Sequence, residues 1–366
     1  MCYKFVSPGK YIQGQGILDQ LAEYSRGLGD RPFIIISKGG KNRFEEKIRL
    51  SYKNLDPSAE YLLNVFGGEC TQNEILRLSV PAKESRCDHV IGIGGGKVMD
   101  TAKLVARELS LPVMICPTIA ATDAPTAGRA VLYSEEGVSL KTLQLPKSPD
   151  IVLVDSQVIA QAPVRLLVSG MGDALATYFE TRACIETSSR NPAGGYTTVA
   201  AASLAESCFK TLLEYGLQAR KDAEKGKCSL AVDRIVEVNT LLSGLGFESG
   251  GLASAHAINK GLTHIKECDA FYHGEKVAFG TLCQLIIEGQ DPAVIMKVFD
   301  FCRSVGLPTC LEEIGLRRDQ EEKLRKAAEV AADPAGHTKN EPVKVTAELV
   351  YDAMMKVDAL GKTAVD

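Results

Sequence analysis

Three of the five histidines in this chain, His256, His264 and His273, fall between positions 256 and 273, in "GFESGGLASAHAINKGLTH" and "CDAFYHGEKVAFG". A third stretch too polar and glycine-rich to be plain core, "VSGMGDALATYFE", holds Asp173. One carboxylate and two imidazoles suit zinc or ferrous iron and leave a coordination position open for substrate. If "LASAHAINKGLTH" is one helix, eight residues separate His256 from His264, about 12 Å along the axis. Two ligands of one ion must each lie ~2.0–2.1 Å from it. That pair is therefore poor unless Gly261 folds the chain back. His273 follows a loop, "IKECDAFY", and precedes a new helix, so it is freer to converge. The candidate metal triad is Asp173, His256 and His273. Each member also has a structural reading: a histidine beside a helix often serves only as a hydrogen-bonding residue, and Asp173 after Gly172 reads equally as a helix N-cap.

A second chemistry is written in "HVIGIGGGKVMDTAKLVA", His89 to Ala106. Four glycines and a lysine stand between an apolar run and a helical one. The Rossmann fingerprint Gly-x-Gly-x-x-Gly starts at Gly92 and Gly94 but meets Lys97 at its sixth position. The P-loop pattern fits Gly96 and Lys97 but finds Ile91 for its first glycine and Val98 for its hydroxyl. What remains is a strand, a Gly94-Gly95-Gly96 turn and a helix whose N-terminus can meet an anion; the bland alternative is a tight turn without a ligand.

The elements that must position these residues divide the chain. "FIIIS", "YLLNVF", "HVIGI", "LPVMICPT" and "IVLVD" are short apolar runs separated by helical segments, which predicts a parallel sheet with crossover helices over the first ~160 residues. Continuous apolar strands are buried on both faces, and ligands of such sheets bind beyond the carboxyl ends of the strands. The glycine turn lies at one such end and "PTIAATDAP" at another. After Pro163 the β-rich runs stop. "YTTVAAASLAESCFKTLLEYGLQARKDAEK" has helical spacing, and "DQEEKLRKAAEVAADPAG" predicts a charged, solvated helix that ends the chain and stops at Asp333-Pro334. An α/β half followed by a helical half implies a cleft between them.

Bulk properties narrow the classes. At 366 residues the chain is long for one core, so two domains are expected. A net charge of −4 with both signs interspersed argues against a nucleic-acid or anionic-membrane partner. No apolar stretch reaches the ~18 residues of a membrane span, and "MCYKFVSPGKYIQGQG" lacks the apolar core of a signal peptide. The 11 cysteines are odd in number and form no C-x-x-C pair, and Cys116 and Cys283 sit in apolar runs. Free thiols in that number imply a reducing compartment, the cytoplasm.

Together "GIGGGKVMDTAK", "PTIAATDAPT", "GMGDALATYFE", "GFESGGLASAHAINKGLT" and "YHGEKVAFG" resemble the glycerol dehydrogenases of the iron-containing (group III) alcohol dehydrogenase family, and the likeness runs from "SPGKYIQG" through "FGGECTQNEI" to the C-terminal helices. The resemblance implies an N-terminal α/β domain with a Rossmann-like parallel sheet, residues 1–162, and an all-α C-terminal domain, residues 163–366, in a dehydroquinate synthase-like architecture. It implies NAD and one divalent metal, zinc before iron, with Asp173, His256 and His273 as ligands. The pyrophosphate site corresponds to Gly94, Gly95 and Gly96, with Lys97 and Asp100 in the same motif. The nicotinamide region corresponds to Thr118, Thr122, Val131 and Tyr133, and Ser37 falls at the adenosine ribose. Asp123 and His256 would meet a small polyol, and Asp123, Asp173, His256 and His273 form the catalytic set. The implied reaction is reversible oxidation of glycerol to dihydroxyacetone, the hydride leaving a metal-stabilised alkoxide for nicotinamide. His264 and Asp123 are candidate members of a proton path. A homo-oligomer, an octamer, is the family habit.

Three departures from the family pattern stand out. Ser37, in "IIISKGG", replaces the usual aspartate that binds the ribose and repels a 2′-phosphate, so NADP should be tolerated better than usual, with NAD still the default. Arg129, in "TAGRAVLY", replaces an apolar residue near the nicotinamide; it would attract a carboxylate-bearing substrate or point to solvent. Ala121 replaces a serine and removes one hydrogen bond. The alternatives are a relative acting on another small diol or a 2-hydroxy acid, a 3-dehydroquinate-synthase-like lyase drawing on Lys97, Arg129, Lys260 and Lys276, and a non-catalytic sugar-phosphate or nucleotide binder.

Overall fold

The structure is a computed structural model and describes residues 1–363. Five strands come first: β1 (Lys10–Gly14), β2 (Pro32–Ile36), β3 (Leu62–Val65), β4 (His89–Gly94) and β5 (Val113–Pro117). An antiparallel hairpin, β6 (Arg129–Tyr133) and β7 (Ser139–Gln144), precedes β8 (Ile151–Asp155). The main sheet has the order β1-β8-β5-β4-β2-β3, and every pairing in it is parallel. The expected apolar runs are its strands. The sixth strand, β1, was not anticipated, because "KYIQG" forms a half-exposed edge paired only with β8 and so carries no apolar run. The hairpin also escaped the reading: β7 is largely exposed, and "SLKTLQ" shows no buried face.

Helices α1 (Leu21–Ser25), α2 (Lys38–Leu55), α3 (Gln72–Glu84), α4 (Gly96–Leu109) and α5 (Ser156–Ala160) complete the α/β part. Strand alternation splits its core in two. Ile34, Ile36, Ile91, Ile93, Met114 and Leu153 face Leu21, Phe44 and Ile48 on one side of the sheet. Phe33, Ile35, Val90, Ile115, Val152 and Val154 face the other, where the core runs on without a break into the second half of the chain. The two halves are thus fused through one face of the sheet.

That second half is helical: α6 (Val164–Glu186), α7 (Val199–Ala223), α8 (Leu230–Glu237), a π-helical turn (Val238–Leu242), α9 (Ser243–Gly250), α10 (Ser254–Leu262), α11 (His273–Ile287), α12 (Pro292–Val305), α13 (Glu321–Ala331) and α14 (Ala347–Thr363). The charged helix, α13, ends where expected but does not end the chain, since α14 follows it. The first residues cross over to this half: Lys4 N–H donates to Tyr196 O (3.2 Å) and Val6 N–H to Ser249 Oγ (3.0 Å). Among the described residues no helix is long and apolar enough to cross a membrane.

Candidate metal centre and cofactor cleft

Asp173 stands in the middle of α6, which corrects the N-cap reading: its backbone is interior helix, and its side chain is 1% exposed. His273 opens α11. The two meet because these helices touch at backbone distance. A Cβ on Gly172 would lie 2.3 Å from Gly274 O, and one on Gly274 would lie 1.7 Å from Ser169 O, so only glycine permits the approach. Each glycine is the sequence neighbour of a ligand, and their contact sets His273 Nε2 3.1 Å from Asp173 Oδ1. His256, in the first turn of α10, brings its Nε2 to 3.4 Å from the same oxygen. The three ligand atoms lie within 4.8 Å of one another. His264 stays outside; α10 ends at Leu262, and the His264 ring bonds Lys260 O at 2.9 Å.

The ring orientations are fixed from behind. Glu180 Oε2 lies 2.6 Å from His256 Nδ1, and Glu180 Oε1 accepts the N–H groups of His256 (3.0 Å) and Ala253 (2.8 Å). Asn259 Nδ2 lies 3.2 Å from His273 Nδ1. Glu180 accepts from His256 Nδ1–H, and the Asn259 amide does the same for His273 once its otherwise unpartnered oxygen is turned to the ring, which leaves both Nε2 atoms for the centre. Glu180 was not singled out from the sequence. The signal was available: seven residues from Asp173 is two helical turns, so both carboxylates share one face of α6.

Asp173 Oδ1 is buried and has no hydrogen-bond partner among the described residues. An orphaned anionic acceptor between two imidazole nitrogens is what a cation would satisfy. The electrostatics agree. Burial pushes Asp173 up, but His273 and His256 outweigh it and hold the carboxyl well below its usual range. Burial pushes His256 down, but Glu180 and Asp173 outweigh it and raise the imidazole well above its usual value. Two carboxylates in a buried site demand positive charge, and the residues present fit a divalent cation bound by Asp173, His256 and His273.

Asp123 reaches this cluster from the segment between β5 and β6. Its N–H donates to Asp173 Oδ2 (3.3 Å), and its own Oδ2 accepts from Ser243 Oγ (3.0 Å). Burial first, then the charge of Asp173, pushes its carboxyl well above the usual range. The helical half pins the segment at three further points: Asn239 Nδ2 donates to Ala120 O and Leu167 O (2.9 Å each), Thr126 Oγ1 donates to Thr240 O (2.8 Å), and both carboxylate oxygens of Glu248 accept from Gly128 N–H (3.1 and 3.0 Å). Asn239 and Thr240 come from the π-helical turn, a local distortion that often accompanies function.

The glycine turn joins β4 to α4. It opens on a cavity of about 570 Å³ lined by Ser37, Lys38, Gly67, Gly68, Gly96 and Lys97, among others. A Cβ on Gly96 would meet nothing within 4 Å, so the space above the helix N-terminus is free for a phosphate. Lys97 pairs with Glu69 and lies 5.0 Å from the ring centroid of Tyr133. Thr118 N–H donates to Gly94 O (3.0 Å), and Thr122 Oγ1 accepts from Ala124 N–H (3.4 Å), so both threonines lie on the path from the turn to Asp123. Val131 and Tyr133 share one half-exposed face of β6. Asp100 points inward: it accepts Val131 N–H (3.2 Å), and burial pushes its carboxyl up to about 6. Ser37 caps α2, accepting Gly40 N–H at 3.0 Å.

The basic residues on which a lyase would draw are mostly committed. Lys97 is paired, and Lys276 turns inward to Cys268 O (3.3 Å). Lys260 is exposed on α10, which leaves Arg129.

Residues 8–156 match the family model described as iron-containing alcohol dehydrogenase. The chain is 45% identical to a glycerol dehydrogenase of Thermotoga maritima, covering 98% of this chain and 97% of that one. It is 40% identical to a glycolaldehyde reductase of Halobacterium salinarum, with 99% of each chain covered. Among solved structures, a probable glycerol dehydrogenase from Sinorhizobium meliloti 1021 superposes with a TM-score of 0.91 at 42% identity, covering 99% of this chain and 100% of that chain.

Proposed function

The chain belongs to the iron-containing alcohol dehydrogenase family, and from that premise we propose that it is an NAD-linked, metal-dependent glycerol dehydrogenase, interconverting glycerol and dihydroxyacetone. The single observation that carries the reading is the convergence of His256 Nε2 and His273 Nε2 on one orphaned, buried oxygen of Asp173. The division of labour falls at residue 162: a dinucleotide-binding domain, 1–162, and a helical domain, 163–366, that carries the metal and substrate residues.

Asp173, His256 and His273 would hold the ion, zinc in preference to iron, whose Lewis acidity makes a hydroxyl easier to deprotonate much as it lowers the pKa of water from ~15.7 to ~7. Gly94, Gly95 and Gly96, Lys97, Thr118, Thr122, Val131 and Tyr133 would hold NAD, which when bound supplies the hydride acceptor. The remaining work is positioning by this chain's own residues. Glu180 and Asn259 fix the two imidazoles. Asp123, tied by its backbone to Asp173 and by its carboxylate to Ser243, would accept a hydrogen bond from the diol. The pinned segment from Thr118 to Gly128 would hold Asp123 fixed beside the triad. We take the enzyme to be a cytoplasmic homo-oligomer, an octamer by the resemblance. Its 11 free cysteines support a reducing location.

The test is absorbance at 340 nm while polyols and hydroxy acids are oxidised, before and after chelation and after addition of zinc or ferrous iron. Glycerol turnover that chelation removes and a divalent metal restores is the expected result. No reduction of NAD by any polyol with either metal present would overturn the reading.

A further inference from the structure

Arg129 opens β6, and on that strand positions 129, 131 and 133 are half-exposed while 130 and 132 are buried. A strand turns alternate side chains to one face, so the guanidinium shares the face of Val131 and Tyr133, and the Tyr133 ring lies 5.0 Å from Lys97 Nζ beside the glycine turn. Its backbone is held from both sides. The preceding residue, Gly128, donates to both oxygens of Glu248 (3.1 and 3.0 Å), and Lys103 Nζ donates to Arg129 O (3.2 Å). The side chain itself is unserved. Arg129 Nε is buried without a hydrogen-bond partner among the described residues, and Arg129 forms no ion pair among them. The Glu248 carboxylate feels its charge but is shared with Lys103 and already accepts Gly128 N–H, and no Arg129 donor bonds to it, so the guanidinium N–H groups remain open to a further anion.

Which anion follows from where the strand runs. Its far end, Tyr133, lies under Lys97 beside the glycine turn. Arg129 is four residues back, about 13 Å along the strand at ~3.3 Å per residue, at the end that joins the segment carrying Asp123. Gly128, the residue before Arg129, is bonded to Glu248 on α9, the helix whose Ser243 holds Asp123 beside the triad, so Arg129 stands at the triad's end of the strand.

We propose that Arg129 is a specificity-determining residue that binds the carboxylate of a 2-oxo or 2-hydroxy acid beside the reacting carbon, so that the enzyme interconverts such acids as well as diols. This rests on the reading of the site given above. In the reductive direction hydride passes from C4 of NADH to the carbonyl carbon, the C=O π pair takes a proton from water at oxygen, and the products are the 2-hydroxy acid and NAD.

Pyruvate and hydroxyacetone make the test, since they share a skeleton and differ only in carboxylate against hydroxymethyl. The zinc-loaded enzyme should reduce both. Arg129→Leu should lower kcat/KM for pyruvate about 30-fold or more, mainly through KM, as loss of a charge-assisted hydrogen-bond pair requires. Hydroxyacetone reduction and the KM for NADH should stay within about 3-fold, and Arg129→Lys should recover part of the loss. Hydroxyacetone turnover without pyruvate turnover in the wild type would overturn the proposal. So would equal losses on both ketones, or a loss confined to the KM for NADH, which would assign the cation to the cofactor. If neither ketone is reduced, the reading of the site fails. The subsite is then decided by calorimetry with 2-hydroxy-2-methylpropanoate, which has no hydride to give, on the enzyme with NAD. A Kd raised about 30-fold in Arg129→Leu supports the subsite, and an unchanged Kd overturns it.

Discussion

His256 presents Nε2 to the centre because Glu180 occupies its other nitrogen and the N–H groups at the start of its helix. Glu180→Gln keeps the shape but removes the charge that orients and enriches the imidazole, so metal affinity should fall about 10–100-fold. Competition with a chelator would measure it. Turnover should return at saturating metal, because Glu180 positions a ligand and touches no reactant; affinity equal to wild type would show that the contact is only structural. Ser37 poses a cleaner exchange. Its hydroxyl caps α2, and aspartate caps a helix equally well, so Ser37→Asp should leave the fold intact while adding a negative charge where the family resemblance puts the adenosine ribose. With Lys38 beside it, wild-type Ser37 should let NADP compete within about a thousandfold of NAD, roughly 4 kcal/mol in kcat/KM. The aspartate variant should widen that preference at least ~10-fold. Steady-state rates with the two cofactors decide, and a wild-type preference already beyond a thousandfold would remove the argument.

At the scale of elements, the triad exists because α6 and α11 touch through Gly172 and Gly274. Gly274→Ala puts a methyl group 1.7 Å from Ser169 O, a backbone atom with no way to yield except by parting the helices. The cost should be about 3 kcal/mol, at the upper end of ordinary overpacking, and the parted helices should bind metal more weakly. Thermal melts with and without metal would show a lower Tm and a smaller stabilisation by zinc; an unchanged pair of melts would mean that the approach is not enforced. None of this contact was legible beforehand. A glycine beside a candidate ligand reads as a turn until its partner glycine, a hundred residues on, is seen against it. The strands were legible for the opposite reason, since β2, β4, β5 and β8 are buried on both faces and must be apolar, whereas the edge strand β1 and the exposed hairpin escape that demand. Residue types singled out the three candidate ligands, which the fold brings together; the two groups behind them, Glu180 and Asn259, needed the packing of α6, α10 and α11 to be known.

Over the whole molecule the chain returns to brace its own site. The segment between α13 and α14 brings Glu341 back to α10, where its Oε1 accepts Ser254 N–H at 2.8 Å, two residues before His256. Glu341 meets Glu288, whose carboxylate is already engaged by Arg182, Gln284 and Gln290 at 2.7 Å each. Burial first, then the charge of Glu288, raises the Glu341 carboxyl to about 8. An acid whose folded value lies above its unfolded value contributes stability that is full below the unfolded value and is lost as pH rises through the folded one. The window here runs from the ordinary 4.5 to about 8. Glu341→Gln keeps an acceptor for Ser254 N–H and an N–H to offer Glu288, but cannot ionise. The difference in Tm between this variant and wild type should therefore grow with pH, favouring the variant by about 2 °C or more at pH 8 relative to pH 5. Metal and other carboxylates are common to both proteins and cancel in the difference. A gap that is flat from pH 5 to pH 8 would mean that Glu341 is ionised throughout, with the start of α10 held by a buried carboxylate in place of a shared proton.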